Sequence, residues 1–264
     1  MRIPLFRVDA FTDRPFAGNP AAVCPLSGWL DDRTLVKVAA ENNLSATAFL
    51  VPQEDRLELR WFTPLCEVRL CGHATLAAGH VVLNILQTAI DSIAFESRFS
   101  GVLTVRKRGK SLSMDFPAMF AKTCTTRPDG LVRALGPGPE PSEVLEVNDT
   151  YIAVYESKDA ICNLRPDCAE LNRLHPFAVA VTAPGDDVDF VSRYFAPSYG
   201  VFEDPVTGSV HCSLTPYWAH RLGKTHLHAR QVSERGGELW CETNGDRVLL
   251  KGNAVLTLKG SLSL

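Results

Sequence analysis

The sequence predicts an α+β protein of two similar domains, each a strongly curved sheet wrapped around one buried helix. Three observations carry that expectation. First, short strand-like runs dominate, and the two long helix candidates, "GHATLAAGHVVLNIL" (Gly72 to Leu86) and "GSVHCSLTPYWAHRLG" (Gly208 to Gly223), are mostly apolar. The first is apolar on nearly every side, and such a helix must be enclosed by protein. Second, the approaches to the two helices share a pattern, "WFTPLCEVRLCGHAT" and "YFAPSYGVFEDPVTGSVH". Each has an aromatic-Phe-x-Pro, then 10 to 13 residues from that Phe to a Gly, then a small or polar residue opening the helix. That spacing suggests an internal duplication. Third, Pro and Gly gather between Pro117 and Pro141, which predicts a linker and a division into residues 1–118 and 119–264.

The elements follow in order. "IPLFRVDAF" starts a strand, and "GNPAAVC" resumes one after a Gly-Asn-Pro turn. Asp31 or Asp32 can cap a helix in which Leu35, Val38 and Ala39 keep helical spacing. "TAFLV" reads as a short buried strand. "RLELRWF" alternates, with Leu57, Leu59 and Trp61 on one face and Arg56, Glu58 and Arg60 on the other. "EVRLC" follows Pro64, and "GVLTVRKR" with "SLSMDF" reads as a strand pair. A short helix fits Leu131 to Leu135 inside the linker region. Beyond it come "YIAVYES", "FAVAVTA", "FVSRYFAP", "GELWCE" and "RVLLKGNAVLTLKG" as strands. Pro216 inside the second long helix is expected to cost stability or kink it, and Gly223 is a suitable stop.

Composition narrows the function. The chain has 264 residues, 45% hydrophobic and 22% charged, an ordinary globular balance with a core of useful size. A net charge of −3 argues against a nucleic-acid binder. The densest basic run, Arg106-Lys107-Arg108 with Lys110, reads as a strand end and exposed turn. Charges break the first ten residues, and no apolar run reaches the roughly 18 residues that span a bilayer, so a cytoplasmic protein without membrane contact is expected. The eight cysteines are scattered without a CxxC, which predicts reduced thiols and no structural zinc. His226 and His228 share one strand face with no third ligand in view, and surface histidines are expected there.

The chemistry points to the two helix starts. A helix N-terminus offers unpaired backbone N–H groups and partial positive charge, and a leading Gly lets a ligand approach the backbone. Gly72-His73 and Gly208-Ser209 open the two helices. If the halves face each other, both N-termini would hold a small carboxylate, with no metal and no nucleotide. His73 sits where a helix dipole lowers an imidazole pKa, as suits a neutral acid/base, or it bonds a loop carbonyl. Asp204 precedes Pro205 and is either catalytic or a turn aspartate. Ser209 and Thr207 each either cap the helix or bind substrate oxygen.

The blocks "VDAFTDRPFAGNPAAV", "NLSATAFLV", "RWFTPLCEVRLCGHATLA", "SRYFAPSYGVFEDPVTGSVHC" and "RGGELWCE" occur in order over almost the whole chain. Together they resemble the PhzF family, the phenazine-biosynthesis-like isomerases. The resemblance implies the diaminopimelate-epimerase fold, two pseudo-symmetric domains that are each a barrel-like sheet around one central helix, and a cofactor-free isomerase, often dimeric, so a homodimer is expected. In the type member, trans-2,3-dihydro-3-hydroxyanthranilic acid is isomerised by moving a hydrogen between ring carbons. A glutamate takes and returns the proton, assisted by a histidine, an aspartate and a serine. By motif position these are His73, Asp204 and Ser209.

The glutamate is missing. The family motif Asn-Leu-Ser-Glu-Thr-Ala-Phe is Asn43-Leu44-Ser45-Ala46-Thr47-Ala48-Phe49 in this chain, and alanine cannot hold a proton. A positioned acid/base contributes about 10²–10⁴-fold, so a poor proton shuttle is expected. Ala46 is an introduced substitution, or a natural one with altered chemistry or a binding role, or else another acid serves, Glu41 and Glu67 being nearest in sequence. Related two-thiol racemases need a cysteine before each helix-starting Gly. Cys71 precedes Gly72, but Thr207 precedes Gly208, which leaves only one-sided deprotonation by Cys71 or an ordinary buried Cys71.

Overall fold

A computed structural model describes residues 1–53 and 56–264. In chain order the elements are β1 (Arg2–Ala10), β2 (Asn19–Pro25), α1 (Asp32–Asn42), β3 (Ala46–Gln53), β4 (Arg56–Phe62), β5 (Glu67–Val68), α2 (Gly72–Val81), β6 (Ser92–Ser97), β7 (Gly101–Arg108) and β8 (Ser111–Pro117). Then come β9 (Lys122–Thr123), α3 (Leu131–Leu135), β10 (Glu143–Val147), β11 (Thr150–Val154), α4 (Lys158–Cys162), α5 (Cys168–Asn172), β12 (Ala178–Pro184), β13 (Phe190–Ala196) and β14 (Val201–Glu203). The chain closes with α6 (Gly208–Leu222), β15 (His226–Gln231), β16 (Gly237–Asn244), β17 (Arg247–Gly252) and β18 (Ala254–Ser263). It divides into two compact units, Met1–Phe116 with Leu249–Leu264, and Pro117–Val248.

In the first unit β1 pairs antiparallel with both β18 and β2, and β2 lies parallel to β3. The run continues through β4, β6, β7 and β8. The division expected at residue 118 holds the last strand in the wrong half. β18 registers against β1 from Arg2↔Ser263 to Ala10↔Ala254, so the C-terminal segment belongs with the first unit. Sequence spacing could not show this, because strand pairing is blind to the distance between partners along the chain.

Helix α2 packs against β1, β2, β3, β7 and β18. Contact with strands from both ends of one run requires this sheet to bend round the helix. Nine of its ten residues are buried, His80 being the exception. Close packing depends on small residues, and a Cβ on Gly79 would stand 2.5 Å from Val105 Cγ1 of β7. A π-turn over Val82–Leu86 continues the helix. α1 covers the other face of the sheet. Asp31 caps it through Thr34 N, and Leu35, Val38 and Ala39 join Cys24, Phe49, Val51 and Phe62 in one cluster. Side chains alternate along a strand. Phe49 and Val51 face α1, so Ala46 and Ala48 lie on the face turned to α2.

In the second unit the pairings run β9–β10–β11–β12–β13–β15–β16, with β11–β12 and β13–β15 parallel. α6 lies on one face. Its Trp218 stacks on Phe190 and donates Nε1–H to Thr182 Oγ1 at 2.9 Å. The opposite face, with Val179, Val181, Val191 and Phe195, packs on α3, α4 and α5. The expected linker is largely structured as part of this unit. The short helix over Leu131–Leu135 forms, with Leu131, Ala134 and Leu135 buried. Pro216 does not break α6, which runs fifteen residues through it and ends at Gly223 in the left-handed region.

No helix among the described residues is long and apolar enough to cross a membrane. The basic run ends β7, followed by a turn at Gly109. His226 lies 3.5 Å from Glu242 and His228 lies 3.3 Å from Glu238, side by side with carboxylates on the surface of β15 and β16. Among the described residues no group of three His, Cys, Asp or Glu could hold a metal ion.

Candidate active site

The first candidate group surrounds the start of α2. β1 and β2 are joined by a sharp turn in which Phe16 N–H donates to the buried Asp9 Oδ2 at 2.8 Å. Gly18 has φ +63, and a Cβ there would meet Ala10 O at 2.2 Å, so this turn needs glycine. It delivers Asn19, fully buried, to the start of β2. α1 ends at Asn43 with φ 49, and the chain passes Ser45 into β3. Parallel pairing of Ala46 with Ala21 sets Ser45 beside Pro20 and Asn19. Ser45 Oγ lies 2.9 Å from Asn19 Oδ1, 3.4 Å from Pro20 O and 3.1 Å from His73 Nε2.

His73 is the second residue of α2, and its other ring nitrogen, Nδ1, lies 3.4 Å from Cys71 Sγ. Neither ring nitrogen goes to the loop carbonyl that one sequence reading allowed. Burial pushes the His73 pKa down to about 3, so the ring is neutral near pH 7. The sequence expected that direction from the helix dipole, whereas desolvation is its cause here. Cys71 takes the N-cap position with φ −142 and ψ 101 and makes no side-chain cap bond. Gly72 follows it, with its backbone at the first turn.

Ala46 is 1% exposed at the start of β3, on the face turned to α2. The two acids nearest in sequence are placed elsewhere. Glu67 is clamped by Arg60, at 2.7 Å from Nε and 2.6 Å from Nη2, and Glu41 is exposed on α1. The sequence reading of Glu67 as an ordinary strand residue agrees with this ion pair.

The second candidate group surrounds the start of α6. Asp204 is buried, and its N–H donates to Tyr194 O at 2.9 Å. Thr207 Oγ1 donates to Asp204 Oδ2 at 2.6 Å, and Thr207 N–H donates to Gln231 Oε1 at 2.9 Å. Gln231 Nε2 in turn donates to Asp204 O at 2.6 Å and to Thr207 Oγ1 at 3.3 Å. The amide orientation of Gln231 is thereby fixed, since only its oxygen can accept from an N–H. Thr207 occupies the N-cap position but makes no side-chain cap bond, because its hydroxyl serves Asp204. Of the two roles the sequence left open for Thr207, side-chain capping is not made, and its hydroxyl is engaged by Asp204 within the chain. Gly208 is buried and starts α6, while Ser209 is its half-buried second residue and so is not the cap. His211 Nδ1 donates to Thr207 O at 2.7 Å, and burial holds the His211 pKa down to about 4.

Ser45, Asn19, Gln231 and His211 were not singled out from the sequence. Gln231 had a legible signal, since Leu227 and Ala229 make one face of β15 apolar and Gln231 continues that face. Ser45 had none, because its partners lie 26 and 28 residues away in sequence.

A family model described as "Phenazine biosynthesis-like protein" matches residues 8–260. An uncharacterized isomerase of Pseudomonas aeruginosa is 52% identical over 264 residues, with 100% of both chains covered. A crystal structure of a PhzF-family phenazine biosynthesis protein from Enterococcus faecalis is similar with a TM-score of 0.93 and 42% identity, covering 100% of both chains. A predicted epimerase from Pseudomonas aeruginosa matches with a TM-score of 0.72 and 20% identity over 98% of this chain and 99% of that one, a likeness of fold alone.

Proposed function

Because the chain belongs to the PhzC-PhzF family of phenazine biosynthesis-like proteins, we propose that it is a cofactor-independent isomerase that moves a proton on a small carboxylate substrate. The observation that carries this reading is His73, buried and neutral in the first turn of α2 beside the hinge that leads to position 46. A neutral imidazole there is suited to proton chemistry, and each helix start, at Gly72 and at Gly208, offers backbone N–H groups suited by themselves to an anionic group. Asp204 and Ser209 are the further polar groups of the proposal. The engaged hydroxyl of Thr207 supports a positioning role for it, with Asp204 as the group it holds.

Proton transfer is slow in this chain on the same reading, since Ala46 stands where the family glutamate is expected. Restoring the carboxylate should restore roughly 10²–10⁴-fold. The test is deuterium incorporation from D₂O into trans-2,3-dihydro-3-hydroxyanthranilate by this chain and by Ala46→Glu. Exchange confined to the Glu form supports the reading. Exchange in neither form favours a small-anion binder that has lost turnover, and equal exchange in both shows that the base lies elsewhere.

A second reading has its own observation. Cys71 Sγ lies 3.4 Å from His73 Nδ1, a thiol–imidazole pair that favours a single-thiol epimerase-like enzyme. Alkylation of Cys71 that abolishes turnover, with protection by ligand, supports it, and indifference to alkylation removes it. Either way the proposed enzyme is a cytoplasmic homodimer whose two helix-opening motifs descend from one duplicated half. Sedimentation of the purified chain tests the dimer.

A further inference from the structure

We propose that Ser45 is a positioning residue that fixes His73 in the Nε2–H tautomer and turns the Nδ1 lone pair onto the Cys71 thiol. This deepens the isomerase reading and rests on it for its catalytic meaning, though not for its test. The hydroxyl of Ser45 has one proton and three polar neighbours, Asn19 Oδ1 at 2.9 Å, His73 Nε2 at 3.1 Å and Pro20 O at 3.4 Å. Two of these are carbonyl oxygens, which only accept. The hydroxyl proton therefore goes to an oxygen, and a lone pair of Ser45 faces Nε2. That nitrogen must carry the hydrogen. The assignment rests on the Asn19 amide presenting its oxygen to Ser45, because an Asn19 nitrogen there would donate to the hydroxyl and leave its proton for Nε2.

A neutral imidazole has a single N–H. Desolvation keeps His73 neutral, so with Nε2 protonated its Nδ1 holds a lone pair. Cys71 Sγ stands 3.4 Å from Nδ1 and 3.9 Å from Nε2, and toward the nearer nitrogen the thiol hydrogen is the donor. The chain of donors then runs one way, from Cys71 to His73 to Ser45 to the carbonyls at the start of β2. The opposite tautomer sets two hydrogens or two lone pairs against each other at one of these contacts. One unmade buried hydrogen bond weights the two tautomers on the order of tenfold.

The consequence is chemical. The Cys71 proton has an acceptor in direct contact, and its transfer to Nδ1 yields a thiolate and an imidazolium with no change of net charge. Burial opposes the imidazolium, so His73 rests as the neutral imidazole. Ser45, which touches neither sulfur nor a reacting atom, sets the direction of that transfer.

The test uses the whole chain labelled with ¹⁵N-histidine, with His73 assigned by loss of its signals in His73→Gln. Long-range ¹H–¹⁵N correlation at neutral pH should show Nε2 protonated and Nδ1 unprotonated, with an excess of about tenfold. Ser45→Ala should reduce that excess to within about threefold, and Ser45→Thr should keep it. Cys71→Ala should also keep it, because the sulfur follows the tautomer and does not set it. Protonated Nδ1, an even mixture in the unmutated chain, or a full excess surviving in Ser45→Ala would each overturn the proposal. If Ser45→Ala fails to fold, the unmutated and Cys71→Ala spectra still decide, since loss of the excess on removing the sulfur would assign its control to Cys71. If the spectra agree while neither form at position 46 exchanges deuterium, the isomerase reading alone fails.

Discussion

The backbone N–H of Met119 donates to the carbonyl of Cys212 at 3.0 Å, and Cys212 is the residue four positions before Pro216 in α6. A proline has no N–H, so the carbonyl four residues back loses its helical partner. Met119 supplies that partner from outside the helix, and the helix continues. The two sites are therefore coupled. Met119→Pro should cost about 1–3 kcal/mol by leaving a buried carbonyl unpaired. In Met119→Pro/Pro216→Ala, the new N–H at 216 should recover part of that loss. Denaturant unfolding of the two single variants and the double variant checks this through its departure from additivity.

Gln231 holds the Asp204-to-Thr207 segment through three hydrogen bonds while fully buried. Gln231→Leu keeps much of the volume and removes every bond. Each group left unsatisfied costs about 1–3 kcal/mol, so unfolding at a clearly lower denaturant concentration is expected. An unchanged midpoint would mean that the segment finds other partners.

The contact between Gly79 and Val105 leaves no room for a methyl group. Gly79→Ala is expected to destabilise by about 1–3 kcal/mol despite the better helix propensity of alanine. Val105→Ala in the same chain should return part of the loss by opening the space. Thermal melts of the single and double variants test the pairing of α2 with β7.

His73 and His211 carry depressed pKa values, about 3 and about 4, against an ordinary value of 6.5. Between those limits the unfolded chain binds protons that the folded chain refuses, so ν in the unfolded state exceeds ν in the native state and stability rises with pH. Their contribution is complete above about pH 6.5, falls as the pH drops, and levels off below the folded values. Each buried histidine adds a slope of up to about 1.4 kcal/mol per pH unit within its window. Denaturant unfolding from pH 4 to 7 should show a shallower slope in His211→Gln than in the unmutated chain. Equal slopes would show that His211 gains its proton without unfolding.

Much of the architecture was legible before any coordinates. The alternation of "RLELRWF", the helical spacing of Leu35, Val38 and Ala39, and the enclosed character of Gly72–Val81 are local patterns, and local patterns follow from backbone geometry. The candidate positions His73, Asp204 and Ser209 were visible for the same reason, since a glycine-led helix start can be read from a few adjacent residues. Ala46 likewise declared itself by standing in a short motif.

What sequence alone determined is thus the two long helices, many of the strands and the family motifs, while β6, β10, α4, α5 and the break between β17 and β18 were not read from it. Tertiary structure decided the rest. It gave β18 to β1, Met119 to Cys212, Gln231 to Asp204 and Ser45 to His73, joining residues separated by 253 positions in the register pair Phe6↔Lys259 and by 28 in the Ser45–His73 hydrogen bond. Hydrogen bonds and strand pairs act over about 3–5 Å of space, and no periodicity along the chain records which distant residues will be brought within that range.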